Sequence, residues 1–279
     1  MKRILVTIAA LVLSVGLASA QDLASVTEVY NSGAGAIAMG EKASALEFFM
    51  TAYTQAIALG EEGKEVADNC KNVIPQITLS IAKDFIKAKQ YAEAITGLNK
   101  AVEVAGEFED QAVIDEANDL LPKAMIQEAK AQIAAKKFDD AQALLSKVLE
   151  ADPANGTAAL YMGQALVSAG KSDEAVESFK VAAENGQKSV ANKQIATILL
   201  KRASAELKAK DLENAIKTAL ESNEYNESAT AYKIAGTAAT TLAKKDEAIT
   251  YLSKYLELSP KASDAAQITE AIEALKKQQ

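Results

Sequence analysis

Phe138-Asp-Asp-Ala141-Gln-Ala-Leu-Leu145-Ser-Lys-Val148-Leu-Glu-Ala-Asp-Pro153 decides the fold, because Lys245-Asp-Glu-Ala248-Ile-Thr-Tyr-Leu252-Ser-Lys-Tyr255-Leu-Glu-Leu-Ser-Pro260 repeats its frame. Each stretch has a small residue, apolar residues four and seven positions on, and Pro twelve positions on. Spacings of three and four place these side chains on one helix face. Pro cannot continue a helix, so it marks the turn into the next one. The frame recurs at Ala45/Phe49/Ala52, Ala94/Leu98/Ala101, Ala175/Phe179/Ala182 and Ala215/Ala219/Ser222. Its six anchors, Ala45, Ala94, Ala141, Ala175, Ala215 and Ala248, are spaced by 49, 47, 34, 40 and 33 residues. Such a unit is a helix pair that buries only part of its apolar surface alone, so stacked neighbours complete the core.

Composition agrees with an all-α chain. Apolar residues make up 49% of the sequence, yet aromatics are only 5% and there is no Trp. Alanine supplies much of the apolar count, which suits closely packed helices. Four Pro and 13 Gly give too little punctuation for a turn-rich β protein.

The two longest spacings share a second pattern. Val66-Ala-Asp-Asn-Cys-Lys-Asn-Val-Ile-Pro75 aligns with Val113-Ile-Asp-Glu-Ala-Asn-Asp-Leu-Leu-Pro122, 47 residues on. Each reads as an N-terminal extension of a first helix, kinked or interrupted at the Pro. These helices, near 62–88 and 108–136, are expected to project beyond the regular wall. A last amphipathic helix over 263–277, with Ser263 as N-cap and Lys276 and Lys277 at its end, reads as a solvating cap.

The sequence resembles the tetratricopeptide repeat (TPR) family. Gly163, Ala175, Phe179 and Ala182 fit its pattern in one repeat, and Gly236, Ala248, Leu252 and Pro260 in another. The family's Trp is absent throughout. The resemblance covers about residues 26 to 261 and implies a right-handed TPR-like solenoid of about six helix pairs plus the capping helix. The repeats fall at about 26–60, 62–108, 109–155, 156–189, 190–228 and 229–262. A Gly inside a helix costs about 1 kcal/mol against Ala, so it signals close backbone approach between the two helices of a repeat.

Chemistry-bearing motifs are scarce. The chain has no His, which removes Ser–His and Cys–His pairs and most zinc sites. No enzymatic function, cofactor or metal site is expected. Cys70, the one cysteine, is read as a small packed residue, with an intermolecular thiol as the other reading. Glu61-Glu62 and Asp139-Asp140 are adjacent in sequence, so on a helix they point apart. Gly33-Ala-Gly35 has no strand before it and does not suit a phosphate loop. Asn155-Gly-Thr157 and Asn226-Glu-Ser228 match a short glycosylation pattern.

Residues 1–20 read as a cleavable export signal: Lys2 and Arg3, the apolar stretch Ile4 to Leu17, then Ala18-Ser19-Ala20 before Gln21. The apolar stretch is shorter than the roughly 20 residues a membrane span needs. Its two cations are the only charges in those residues, so their removal takes the net charge from −8 to −10. Such acidity argues against nucleic acid and anionic membrane surfaces as partners. The expected setting is periplasmic or otherwise exported.

The resemblance implies that a partner protein lies along the first helices. Five positions per repeat, thirty in all, would line that concave surface. They include six lysines, Lys83, Lys87, Lys123, Lys130, Lys208 and Lys233, and no acid. The candidate groove residues are Lys83, Lys87, Lys123, Ile126, Lys130, Leu160, Gln164, Leu200 and Lys233. The expected inner face is mildly basic with an apolar stripe, and acids lie outside. The leading function is a non-catalytic protein-interaction scaffold of the bacterial cell envelope. Alternatives are a self-associating structural protein, joined through end repeats or Cys70, and a glycan or small-molecule binder. The last wants aromatic platforms, and the groove positions offer only Tyr30.

Overall fold

The computed structural model describes residues 22–277; the stretch expected to be an export signal, with its expected cleavage after Ala20, lies outside the described residues. Among the described residues there are helices and no strands. Six helix pairs follow one another: α1 (Leu23–Ala38) with α2 (Lys42–Ala58), α3 (Lys64–Lys87) with α4 (Tyr91–Glu107), and α5 (Gln111–Ala134) with α6 (Phe138–Ala151). Then come α7 (Gly156–Ser168) with α8 (Ser172–Ala182), α9 (Lys188–Lys208) with α10 (Leu212–Tyr225), and α11 (Ala229–Thr241) with α12 (Lys245–Leu258). A single helix, α13 (Ala265–Lys277), follows. The chain forms two compact units, one ending at Met125 and the other beginning at Ile126.

The anchors do what their spacing requires. Ala45, Ala94, Ala141, Ala175, Ala215 and Ala248 have no solvent exposure. Across from each stands another small buried residue twelve positions earlier: Gly33, Ala82, Ala129, Gly163, Ala203 and Gly236. A β-carbon added to Gly33 would lie 3.0 Å from the ring of Phe49, and one at Gly236 would lie 2.6 Å from Leu252. Small residues thus let the large side chain of the second helix seat directly on the first helix's backbone.

The turn inside each pair has one geometry. Gly40, Lys89, Lys136, Gly170, Lys210 and Ala243 all have positive φ, between 58° and 81°, and each lies five residues before its anchor. The next residue's N–H reaches back to close the helix, as in Lys171 N to Leu166 O and Asp211 N to Glu206 O, both 2.9 Å. This is a Schellman C-cap, which satisfies carbonyls the helix end would otherwise leave open. Only two of the six residues are Gly. A β-carbon in this conformation costs about 1–2 kcal/mol, so in four turns the capping bonds form against that cost.

The extended first helices differ from expectation. α3 and α5 each run 24 residues, with Pro75 and Pro122 inside them. The N-terminal half of α3 does not project. Ala67 packs with Val26 and Ala56, and Cys70 and Ile74 join Ala45, Phe49 and Ala52 in the core of the first unit. One 3-10 turn, Gly60–Gly63, brings the chain in so tightly that a β-carbon at Gly63 would lie 2.1 Å from the Ala56 carbonyl oxygen. Burial of this apolar face outweighs any tendency of the extension to leave the wall. In α5, Val113 and Ala117 pack with Leu79, Leu98 and Ala101.

The second unit has its own lengthened helix. α9 runs 21 residues and is entered through a wide turn, Ala183–Gln187, where Gly186 has φ 88°. At the other end α13 buries Ile272, and its Leu275 packs against the buried cluster that includes Ala235 and Ala248.

Candidate functional site

In the first unit, α3 presents Gln76, Leu79 and Lys83 toward the start of α5. Asp110 caps that start, its carboxylate accepting from Val113 N at 3.1 Å. Between the two helices lies a cleft of about 310 Å³. Leu79 is its apolar floor, only 4% exposed, and Gln76, Ser80, Lys83 and Glu116 form its polar rim. Lys83 bridges the rim by donating to Glu116 at 2.5 Å.

The neighbouring lysines are also engaged. Lys87 lies 3.4 Å from Asp84, which also accepts from Lys42 of α2. Lys42 first and Lys87 second hold the Asp84 carboxyl below the usual carboxylate range. Lys123 pairs with Asp119 one turn earlier, at 2.7 Å. The expectation that acids lie outside this face is therefore corrected for the first unit: each of its candidate lysines has a carboxylate beside it. Sequence alone gives little warning, since Glu116 is 33 residues from Lys83.

In the second unit the candidates divide by depth. Ile126 and Leu160 are buried, 7% and 8% exposed. They form part of the wall beneath the surface rather than its outer layer. Leu200 is half-buried and packs against the core of α9 to α12, and Gln164 is half-buried on α7. Lys130 stands over the ring of Tyr161, 5.2 Å from its centroid, an arrangement that favours a cation above the aromatic face. Lys233 donates to Asp264 at 2.6 Å and lies 5.6 Å from the Tyr255 ring centroid.

Asp264 also accepts from the Tyr255 hydroxyl at 2.5 Å. The two donors, Lys233 first, hold the Asp264 carboxyl below its ordinary range, and the bond to Asp264 raises the Tyr255 phenol. This three-residue knot ties the entry of α13 to α11 and α12. A second, larger cleft of about 480 Å³ lies at the turn edge, between Lys136, Lys137 and Phe138 on one side and Ala169 and Lys171 on the other. It is built from turn residues and includes none of the candidates.

The remaining motifs resolve simply. Cys70 is fully buried, and burial pushes its thiol up to about 11. At neutral pH little of it is then the thiolate that a link between chains would need. Gly33 is a helix-crossing residue under Phe49. Asn155 serves as the N-cap of α7, accepting from Ala158 N at 3.0 Å, whereas Asn226 is exposed at the end of α10. Among the described residues, no group of three or more His, Cys, Asp or Glu could hold a metal ion. No helix among them is long and apolar enough to cross a membrane.

Two segments match family models described as tetratricopeptide repeat, residues 132–197 and residues 229–261. No curated protein sequence matches the chain. Among solved structures, YrrB, described as a TPR protein with an unusual peptide-binding site, is 17% identical with a TM-score of 0.40, covering 74% of this chain and 96% of its own. The MamA protein is 17% identical with a TM-score of 0.37, covering 67% and 92%. A tetratricopeptide repeat protein from Parabacteroides merdae is 15% identical with a TM-score of 0.27, covering 91% and 99%.

Proposed function

This chain is a tetratricopeptide repeat protein, and from that premise we propose that it is an exported scaffold holding a partner protein along the exposed faces of its first helices. Tetratricopeptide repeats are interaction modules, generally without catalysis. One observation carries the placement of the partner. The cleft between α3 and α5 has an apolar floor at Leu79 and a hydrogen-bonding rim at Gln76, Ser80, Lys83 and Glu116. A shallow apolar floor with convergent polar groups suits a peptide segment, whose main chain needs partners and whose side chains need a pocket. Export rests on Lys2, Arg3, the Ile4 to Leu17 stretch and Ala18-Ser19-Ala20, and the setting it implies is the envelope, in the periplasm.

Photo-crosslinkers at Gln76 on α3 and Gln164 on α7, with Glu177 on the second helix α8 as control, test this in the native envelope. Specific adducts from Gln76 or Gln164 and none from Glu177 are expected. Equal yield from all three positions would sink the placement. N-terminal sequencing of the native protein tests export, with Gln21 as the expected first residue and an intact Met1 as the contrary result. Reversing Lys83, Lys87, Lys123 and Lys130 together is expected to weaken partner capture, partly by breaking the bridge to Glu116.

A further inference from the structure

The chain is acidic overall, yet α9 carries five cations, Lys188, Lys193, Lys201, Arg202 and Lys208, against one acid, Glu206. These charges sort by face. At 3.6 residues per turn, Val190, Lys193, Thr197, Lys201 and Lys208 fall on one side of the helix, and all five are exposed. Val190 is 46% exposed, an apolar residue at the N-terminal end of this ridge. Arg202 is already engaged with Asp173 of α8. Glu206 lies around the helix from the ridge and is half-buried. Among the described residues no carboxylate lies within 4.0 Å of the Lys193, Lys201 or Lys208 amines, whereas Lys83, Lys87, Lys123 and Lys233 all have one.

The neighbouring first helices leave the ridge uncompensated. α7 has no charged residue, and the one charge on α11, Lys233, is taken by Asp264. Glu206 apart, the acids within α7 to α12 stand on second helices, such as Asp173, Glu174 and Glu177 on α8 and Glu213, Glu221 and Glu224 on α10. Lys193 and Val190 belong to the lengthened start of α9, residues a 34-residue repeat lacks.

We propose that this ridge binds an extended acidic peptide segment of the partner. The proposal rests on the reading of the chain as a protein-holding scaffold and names the chemistry of what is held. At about 1.5 Å of rise per residue, Lys193, Lys201 and Lys208 stand about 12 and 10 Å apart along the axis. An extended chain advances about 3.3 Å per residue. Its carboxylates therefore match the lysines when they recur every three to four residues, with an apolar side chain beyond the first to cover Val190. Exposed lysines of this kind act mostly through orientation and encounter rate, so the interaction falls with salt.

The test uses the full-length mature chain and a fluorescent poly-L-glutamate peptide, with anisotropy read at low and high salt. The expected result is salt-sensitive binding that weakens at least tenfold in Lys193→Glu/Lys201→Glu/Lys208→Glu. The corresponding triple Gln variant, which keeps helix propensity, is expected to fall between. Lys147→Glu/Lys217→Glu, at exposed positions of the second helices α6 and α10, is expected to change binding less than threefold. No binding by the wild type, or a ridge reversal that changes it less than threefold, overturns the proposal. Tighter binding to single-stranded DNA or to phosphatidylglycerol vesicles overturns it in favour of a phosphate-bearing ligand. Crosslinking through Gln76 and Gln164 reports on the scaffold reading separately, so the ridge can fail while that reading stands.

Discussion

Gly163 of α7 and Phe179 of α8 occupy one space: a β-carbon at residue 163 would lie 2.6 Å from the Phe179 Cε1 atom. Phe179 is fully buried, so its ring cannot swing away without displacing the core around Ala175, Ile195 and Leu199. Gly163→Ala is therefore expected to destabilise the second unit by about 1–3 kcal/mol. Pairing it with Phe179→Leu should recover part of that loss, with a coupling of roughly 0.5–3 kcal/mol. Denaturant midpoints of the two single variants and the double variant check this; simple additivity would contradict it.

The left-handed turn residues give the opposite sign. Lys210 has φ 61° and Gly170 φ 81° in equivalent turns. Lys210→Gly should stabilise by about 0.5–1 kcal/mol, the relief of the β-carbon penalty less the extra freedom of an unfolded Gly. Gly170→Ala should cost about 1 kcal/mol. Hydrogen exchange localised to α9–α10 and α7–α8 reads the two effects where they arise.

Alkylation tests Cys70. With no exposure and a thiol raised to about 11 by burial, it should resist iodoacetamide in the native protein at neutral pH. In denaturant it should react at the rate of a free cysteine. Rapid native labelling, or dimers lost on adding reductant, would show that α3 does not seal it.

The knot at Asp264 makes the docking of α13 depend on pH at both ends. Asp264 is lowered on folding, so its contribution is present above the ordinary carboxylate value and is lost as pH falls through the lowered one. Tyr255 is raised, so its contribution is present below the ordinary phenol value and is lost as pH rises through the raised one. Exchange in α13, corrected for its intrinsic rate, should therefore increase from pH 6 to pH 3. Asp264→Asn should abolish that acid dependence and bring the Tyr255 phenol back toward its ordinary range in an absorbance titration.

The repeat was legible in the sequence because its signal is steric. Ala141 and Ala248 cannot be large, Leu145 and Leu252 cannot be small, and that contrast survives as a spacing. The Schellman turns were hidden because Lys89, Lys136, Lys210 and Ala243 stand where Gly would announce a C-cap. The extension of α3 was visible as a helix, but the burial of Ala67 and Cys70 depends on α1 and α2, which its own periodicity does not describe. The candidate surface was least legible. A charge list does not show that Glu116 answers Lys83 from the next first helix. Nor did the family's groove positions include Lys193 and Lys201, which no acid among the described residues answers.

Each Schellman turn is closed by bonds that never leave its own helix pair, such as Lys171 N to Leu166 O and Lys244 N to Ala239 O. A pair copied elsewhere in the gene would therefore arrive with its bend already made and only its flanks to match. Lengthening between the two helices of a pair would break a backbone closure, whereas lengthening at the start of a first helix leaves every closure intact. The irregular spacing of the anchors, 49, 47, 34, 40 and 33, is the record such a rule would leave: growth tolerated at the joints, and a constant hairpin at every site.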